Sequence, residues 1–160
     1  MNKEINIGYK YFSSADELNN IERTLFEKAK AARENAYAPY SKFLVGCALL
    51  LENGEIITGN NQENAAYPSG ICAERATIFW TSANFPNEKI VKLFVIGGPK
   101  DMPEKSVATP PCGACRQSIL EYESKQEKEI EIYFASMAGE VCKTNSMHDL
   151  LPFSFDSSYL

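Results

Sequence analysis

The sequence predicts an α/β fold in which helices cover both faces of a mixed sheet. Apolar residues recur with helical spacing in three segments of the 160-residue chain, and short apolar or alternating runs stand between those segments. Strands that alternate with helices are typical of a sheet enclosed on both faces. With 44% apolar and 23% charged residues, and with no repeat or linker, we expect one globular domain over residues 1–160.

The first elements are a short N-terminal segment and a long helix. Apolar and polar residues alternate over residues 5–11, a pattern that fits a strand and fits a disordered tail equally well, so residues 1–13 are a strand or a tail. Ser14 and Glu17 have capping-box spacing. Apolar residues then recur at helical spacing from Leu18, and the helix should end near Tyr37 because Pro39 disfavours helix in the residue before it.

The remaining elements follow in the order strand, strand, helix, strand, helix, strand, strand. Asn53 and Gly54 predict a type I′ hairpin turn between the first two strands. A loop over residues 98–111, with several prolines, precedes the last long helix. The predicted strands are residues 43–51, 55–58, 90–96, 130–134 and 140–144, and the predicted helices are residues 71–82, 112–123 and a short one at 147–151.

Charge and cysteine content restrict the class of function. The net charge is −5 and the lysines form no basic block, which disfavours a polynucleotide ligand. No apolar run approaches the ~20 residues of a membrane helix, and residues 1–14 contain no apolar core of a secretion signal, so we expect a cytoplasmic protein. Five cysteines are an odd number, which in such a protein favours a metal or catalytic role over disulfides.

Cys72, Cys112 and Cys115 are the candidate metal ligands. Cys112 and Cys115 fall in the first turn of one predicted helix, and Cys72 lies in the first turn of another, so three thiolates can point at one Zn²⁺. The only histidine is His148, which excludes zinc sites with two or three histidines. Glu74, two residues after Cys72, is placed to move protons beside the metal.

Each of these features also has an ordinary structural explanation. The Cys112–Cys115 pair fits half of a structural zinc site or a thioredoxin-like redox pair, Cys142 could complete a closed zinc site, and Glu74 alone fits a solvated helix residue. The combination of Cys-Ala-Glu with a Pro-Cys-x-x-Cys element is far more specific, because zinc-dependent deaminases combine cysteine ligands with a non-ligand glutamate in this way.

The chain resembles the cytidine deaminases, specifically the small type with three cysteine ligands. The resemblance runs from about Tyr37 to Phe155. It is carried by Tyr40-Ser41-Lys42-Phe43, Val45-Gly46, Asn61-Gln62-Glu63-Asn64-Ala65-Ala66-Tyr67, Cys72-Ala73-Glu74-Arg75, Pro111-Cys112-Gly113-Ala114-Cys115-Arg116-Gln117, and Leu150-Leu151-Pro152 with Phe155.

This resemblance implies a fold, a cofactor and an assembly. The fold is a three-layer α-β-α sandwich around a mixed five-stranded sheet, with one Zn²⁺ per subunit. The small members are homotetramers, so self-association is expected. The implied reaction is hydrolytic deamination of cytidine and deoxycytidine to uridine and deoxyuridine, as in pyrimidine salvage, with Glu74 as the proton carrier.

The resemblance also implies roles for residues that bind the nucleoside. Phe43 packs near it, Asn61 and Glu63 bind the ribose, Ala73 reads the pyrimidine edge, and the Pro111 carbonyl faces the leaving amino group. Tyr67 and Phe155 reach the site of a neighbouring subunit. Without the resemblance, Phe43 fits a core residue, Asn61 and Glu63 fit a polar turn, and Phe155 fits a docked C-terminal side chain.

Arg75 is expected to support the metal from outside its ligand shell. Three thiolates on Zn²⁺ give a formal charge of −1, and an arginine that donates to a thiolate sulfur offsets part of it. Three other functions remain open: a deaminase of the blasticidin S type, a nucleotide deaminase, which the missing basic cluster disfavours, and a zinc-stabilised interaction module without activity.

Overall fold

One mixed sheet of six strands runs through the computed structural model, which describes residues 1–160. In chain order the strands are β1 (Lys10–Phe12), β2 (Phe43–Leu51), β3 (Ile56–Asn60), β4 (Ile90–Pro99), β5 (Glu131–Ala135) and β6 (Val141–Thr144). Their order across the sheet is β1-β6-β5-β4-β2-β3. Only β4 and β5 are parallel. A parallel pair needs a crossover connection, and here that connection contains a helix.

Three helices cover the two faces of this sheet. They are α1 (Asn20–Arg33), α2 (Ala73–Asn84) and α3 (Gly113–Gln126), and α3 is the crossover between β4 and β5. Successive residues of β2 serve opposite faces: Ala48 lies in a cluster with Phe26 and Ala29 of α1, whereas Leu49 lies in a cluster with Ile78 of α2 and Ile119 of α3. The predicted three-layer α/β sandwich is therefore confirmed, and α2 and α3 share one face.

The predicted number of five strands is wrong by one. Residues 10–12 form β1, which pairs antiparallel with β6, while residues 1–9 have no regular secondary structure. The N-terminal segment is thus a strand over three residues, preceded by an exposed segment without regular structure. The alternation of residues 5–11 did not distinguish the two, since only pairing to β6 decides where the strand begins.

The first helix is shorter than predicted because the chain contains two capping boxes in succession. Ser14 and Glu17 do form one, but it caps a single 3₁₀ turn over Ala15–Glu17. A second box of Asn19 and Glu22 starts α1. The helix ends at Arg33 rather than near Tyr37, because the backbone N–H of Tyr37 donates to the carbonyl of Asn61 at 3.0 Å instead of continuing the helix.

The β2–β3 hairpin is confirmed, but its turn is not of type I′. Gly54 has a φ of +88°, whereas Asn53 has no positive φ, and type I′ requires both. The N–H of Gly54 donates to the carbonyl of Leu51 at 3.0 Å, and the side chain of Asn53 accepts from the N–H of Glu55 at 2.9 Å. Gly54 therefore takes the left-handed position alone.

The other predicted strands and long helices are present, with ends displaced by three residues or fewer. The short helix predicted at 147–151 is a 3₁₀ turn over Met147–Asp149. Cys47 is fully buried in the core, as its apolar surroundings in β2 indicate. The three helices are too short or too polar to cross a bilayer.

A network of charged side chains lies on the α1 side of the sheet. Glu131 accepts from the ammonium groups of Lys92 and Lys143, and the hydroxyl of Tyr133 donates to Glu22 at 2.6 Å. Burial alone would raise the pKa of Glu131, but the hydrogen bonds from Lys143 and Lys92 outweigh it and lower that pKa to about 2.

Glu131→Gln should therefore remove a pH-dependent part of the stability. Because the folded-state pKa of Glu131 is depressed, its contribution is present above the pKa of the unfolded chain and is lost as the pH falls from about 5 to about 2. We expect the variant to be less stable by about 1–3 kcal/mol at pH 7 and the two proteins to converge towards pH 2. Urea unfolding across this range measures the difference. A difference that does not change with pH would contradict the assignment.

Candidate functional site

Three cysteine sulfurs meet where α2 and α3 begin. Cys72 is the N-cap of α2, Cys112 is the N-cap of α3, and Cys115 lies in the first turn of α3. The three Sγ atoms lie within 4.8 Å of one another, and those of Cys72 and Cys112 are 3.9 Å apart. Two ligands of a tetrahedral zinc–thiolate site are about 3.8 Å apart, so the spacing fits Zn²⁺.

The local backbone suits negatively charged sulfur. Neither helix has a side-chain hydrogen bond at its N-cap, so no side chain satisfies the first-turn N–H groups, and their partial positive charge favours anionic sulfur at these helix ends. A hydrogen bond from Cys115 lowers the pKa of Cys72 to about 5, and the same contact raises the pKa of Cys115. Ionised sulfurs this close repel each other, and a divalent cation between them removes that repulsion.

The cluster includes no fourth protein ligand. Cys142 lies on β6, where its register partners are Tyr11 and Phe134, and it is not part of the cluster. The single histidine, His148, is exposed near Ser154. These residues therefore do not form a closed structural zinc site with four protein ligands. A redox pair of Cys112 and Cys115 would not explain why Cys72 lies beside them.

Glu74 is buried directly beside the sulfurs. It stands in the first turn of α2, and only 4% of the residue is exposed. Burial raises its pKa, and the negative charge of Cys72 acts in the same direction. A carboxyl group whose pKa is raised toward neutrality can accept and release a proton, which is the property required of a general acid–base.

Arg75, which follows Glu74 in the first turn of α2, also contacts the cluster. Its Nη2 donates to Cys72 Sγ at 3.8 Å, and this hydrogen bond raises the pKa of Arg75. Its Nε is buried without a partner. The guanidinium thus places positive charge next to the sulfur of Cys72, and its role toward a metal stays a prediction.

A pocket of about 440 Å³ opens next to Cys72 and Arg75. This volume falls in the usual range for small-molecule sites. Eleven residues line it, most of them polar or aromatic: Tyr40, Ser41, Asn61, Gln62, Glu63, Asn64, Tyr67, Gly70, Ile71, Cys72 and Arg75. The predicted ribose-binding residues Asn61 and Glu63 therefore lie in one pocket with Cys72, a candidate metal ligand.

Asn61 and Glu63 are held in place by the backbone around them. Asn61 Oδ1 accepts from the N–H of Val45 at 2.8 Å, and its Nδ2 donates to the carbonyl of Phe43 at 3.0 Å. Glu63 accepts from the N–H of Tyr40 at 2.9 Å and from the hydroxyl of Ser41, which lowers the pKa of Glu63. Both side chains are thereby rigid, and each keeps hydrogen-bonding capacity for a ligand.

The other predicted substrate contacts are not all in this pocket. Tyr67 lines it and is 74% exposed, with its ring 5.9 Å from that of Tyr40. Ala73 is fully buried at the start of α2, and Phe43 is half-buried at the start of β2, where its ring lies against Gly97.

Pro111 and Phe155 also lie outside the pocket lining. The carbonyl of buried Pro111 accepts from Arg116 Nε at 2.8 Å. Phe155 is 57% exposed and stacks on Tyr159. The roles of these residues toward a nucleoside stay predictions.

Sequence reasoning overlooked two residues that organise the site. Ser41 bridges the carboxylate of Glu63 and the N–H of Phe43, and Arg116 holds Pro111. Both belong to segments that the resemblance covers. Glu63, however, lies 22 residues from Ser41 and Leu150 lies 34 residues from Arg116, so no sequence spacing reveals these contacts.

The chain is similar to known deaminases in sequence and in structure. A sequence profile described as the cytidine and deoxycytidylate deaminase zinc-binding region matches residues 19–128. A cytidine deaminase of Halalkalibacterium halodurans is 37% identical over 131 residues, which cover 82% of this chain and 91% of that protein. A cytidine deaminase of Sporosarcina psychrophila is 38% identical over 136 residues, covering 85% and 92% respectively.

A solved structure gives the same result for the fold. The crystal structure of a cytidine deaminase from Burkholderia pseudomallei aligns with a TM-score of 0.71 and 38% identity. The alignment covers 86% of this chain and 100% of that one. The matched sequence range includes Cys72, Glu74, Cys112 and Cys115, so the similarity extends through the cluster.

Proposed function

The chain belongs to the family of cytidine and deoxycytidylate deaminases and is an enzyme that deaminates cytidine, and from this premise we propose that it hydrolyses both cytidine and deoxycytidine in a zinc-dependent reaction. The products are uridine or deoxyuridine and ammonia. The observation that best supports the proposal is the buried carboxyl of Glu74 beside a three-cysteine cluster with no fourth protein ligand.

Cys72, Cys112 and Cys115 would hold one zinc ion. When bound, zinc supplies a Lewis acid that makes a water molecule a stronger acid and hence a nucleophile at neutral pH. The helix N-termini and Arg75 reduce the repulsion among the thiolates. A reducing environment keeps these sulfurs available as thiolates, and all five cysteines are free. We propose that the enzyme works in the cytoplasm. Its proposed role there is nucleoside salvage.

Glu74 carries both protons of the reaction. Its carboxylate takes one proton from the attacking water and delivers it to N3 of the cytosine ring, while the water oxygen bonds to C4. The resulting tetrahedral carbon carries a hydroxyl and an amino group. Glu74 then moves the hydroxyl proton to the amino group, the C4–N bond breaks, and ammonia leaves. Burial of Glu74 beside the sulfurs keeps its pKa high enough for both transfers.

The pocket next to the cluster would bind the sugar. Glu63 accepts from the 3′-hydroxyl, which ribose and deoxyribose share, so both nucleosides should react. Phe43, Ala73 and the Pro111 carbonyl would contact the base as the family resemblance implies. A 5′-phosphate is disfavoured because the carboxylate of Glu63 lines the pocket.

We further propose that the chain assembles into a homotetramer. Tyr67 and Phe155 are 74% and 57% exposed, and Phe153 and Tyr159 near the C-terminus are also exposed. Aromatic side chains left in water at this density favour a contact with another molecule. Light scattering during size-exclusion chromatography measures the molar mass of the assembly directly. A monomeric protein would contradict the proposed homotetramer.

One assay tests the reaction. Purified protein is mixed with cytidine, deoxycytidine, cytidine monophosphate or adenosine, and the ultraviolet absorbance is followed while zinc is counted by atomic emission. We expect turnover of the first two substrates only and about one zinc per chain. Turnover that prefers the monophosphate, or none by zinc-loaded protein, would overturn the proposal.

Arg75→Ala should weaken the metal site without unfolding the protein. Loss of the hydrogen bond to Cys72 Sγ removes the positive charge next to the thiolate, and loss of such an outer partner typically costs 10–100-fold in metal affinity or activity. Zinc release to a chelator and turnover of cytidine measure the effect. Arg23→Ala, at an exposed arginine of α1 that pairs with Asp16, is the matched control. If zinc content and rate are unchanged, Arg75 has no such role.

A further inference from the structure

Arg116 joins two parts of the chain that flank the metal cluster. It follows Cys115 in α3, and its guanidinium donates to two backbone carbonyls, from Nε to Pro111 at 2.8 Å and from Nη1 to Leu150 at 2.7 Å. Pro111 directly precedes the ligand Cys112. One guanidinium therefore contacts both the loop that carries Cys112 and the C-terminal part of the chain.

The C-terminal part in question is residues 146–155, which side chains of α3 hold at three points. Glu123 accepts from the Ser146 hydroxyl at 2.6 Å and from the Met147 N–H at 3.0 Å. Gln117 donates to the carbonyl of Phe155 at 2.9 Å. Of the three α3 side chains that hold the segment, only Arg116 also contacts the metal loop.

The planar geometry of the guanidinium suits Arg116 to holding two carbonyls at once. Its N–H donors lie in a fixed plane, so satisfying both carbonyls fixes their relative positions. A lysine ammonium has no such fixed geometry, because its donors rotate on a flexible stem. The Pro111 carbonyl has no competing partner among the hydrogen bonds of the loop, so without Arg116 a carbonyl on a buried residue loses its protein donor.

We infer that Arg116 is a positioning residue that couples the metal loop to the docked C-terminal segment. When the segment 146–155 is in place, Arg116 holds the Pro111 carbonyl and the first turn of α3 in the geometry that the metal ligands need. When the segment detaches, the loop loses that support. The catalytic consequence of this coupling rests on the proposed function, but the coupling itself does not.

The test uses the zinc-loaded protein and the variants Arg116→Gln and Arg116→Lys, with Arg23→Gln as a charge-matched control at an exposed site. Three quantities are measured: hydrogen exchange of the amides in residues 147–155 by mass spectrometry, the rate of zinc release to a chelator, and kcat and KM for cytidine. For Arg116→Gln we expect amide exchange and zinc release to become about tenfold faster and kcat to fall about tenfold, while KM changes by less than about threefold. Arg116→Lys should recover part of each change, and Arg23→Gln should match the wild type.

Two results would overturn the inference. If exchange accelerates while zinc release and kcat stay within about twofold of the wild type, Arg116 only fastens the segment. If zinc release changes and exchange does not, the loop and the segment are independent. Should Arg116→Gln fail to fold, Arg116→Lys supplies the same comparisons at smaller amplitude. If the wild type does not deaminate cytidine, the proposed function fails, and exchange and zinc release still decide the coupling.

Discussion

Glu74→Gln is expected to abolish nearly all turnover of cytidine while leaving the protein folded and loaded with zinc. An amide has the shape of the carboxyl group but cannot accept a proton, so both proton transfers lose their carrier. Positioned general acid–base groups contribute about 10²–10⁴-fold to rates, and a group that serves twice should lie at the upper end of that range. The ultraviolet assay gives kcat, and atomic emission gives the zinc content.

The stability of this variant provides an independent check. Glu74 is a carboxyl group whose burial raises its pKa, so replacing it by a neutral amide removes a group that is unfavourable to bury when ionised. We expect an unfolding midpoint equal to or above that of the wild type. Glu27→Gln, at an exposed position of α1, is the matched control and should change neither rate nor stability. Turnover by Glu74→Gln within about tenfold of the wild type would exclude the proton-carrier role.

Gly46→Ala is expected to lose more stability than the same substitution at any other glycine of this chain. A Cβ at Gly46 would lie 1.9 Å from the carbonyl oxygen of Ala29 and 2.6 Å from the backbone nitrogen of Arg33. Both obstacles are backbone atoms of α1, which cannot rotate away as a side chain can. The helix would have to lift off β2, and we expect a loss of about 3 kcal/mol or more, which for a domain of this size can prevent folding.

A second glycine substitution makes this prediction specific. Gly113→Ala adds the same methyl group in the first turn of α3, where nothing lies within 4 Å of the added carbon. It should change the unfolding free energy by no more than about 1 kcal/mol. Urea unfolding of the two variants gives the comparison, and equal stabilities would show that α1 is not held as closely against β2 as these distances indicate.

Local patterns predicted the elements of the fold well, because most of them depend on a few neighbouring residues. The apolar faces of α1 and α2 and the continuous apolar strands β2 and β4 are visible in the sequence, since a sheet covered on both faces has few polar positions. The start of α1 could not be predicted from the sequence, because the chain contains two valid capping boxes five residues apart and local rules do not rank them. The end of α1 depends on a backbone hydrogen bond to Asn61, which is distant in sequence.

The candidate site was predictable where chemistry restricts the residue type. Few residue types bind zinc, and this chain has only one histidine, so Cys72, Cys112 and Cys115 with the nearby carboxyl of Glu74 stand out although 40 residues separate Cys72 from Cys112. The supporting contacts are different in kind. Ser41 accepts from a backbone N–H group, and Arg116 donates to backbone carbonyls. Every residue carries such groups, so nothing in the sequence identifies these backbone partners.

The sixth strand also bears on how this protein avoids aggregation. β1 lies along the outer edge of β6 and pairs with Val141–Lys143, so most of that edge is covered within the chain and not offered to another molecule. On this side of the sheet the outer strand is then β1, which is only three residues long and places Lys10 opposite Lys143. Short, lysine-bearing edges resist the addition of further strands. The N-terminal segment, which lies before the range matched to the family, thus serves as a cover for a sheet edge that would otherwise be open to intermolecular pairing.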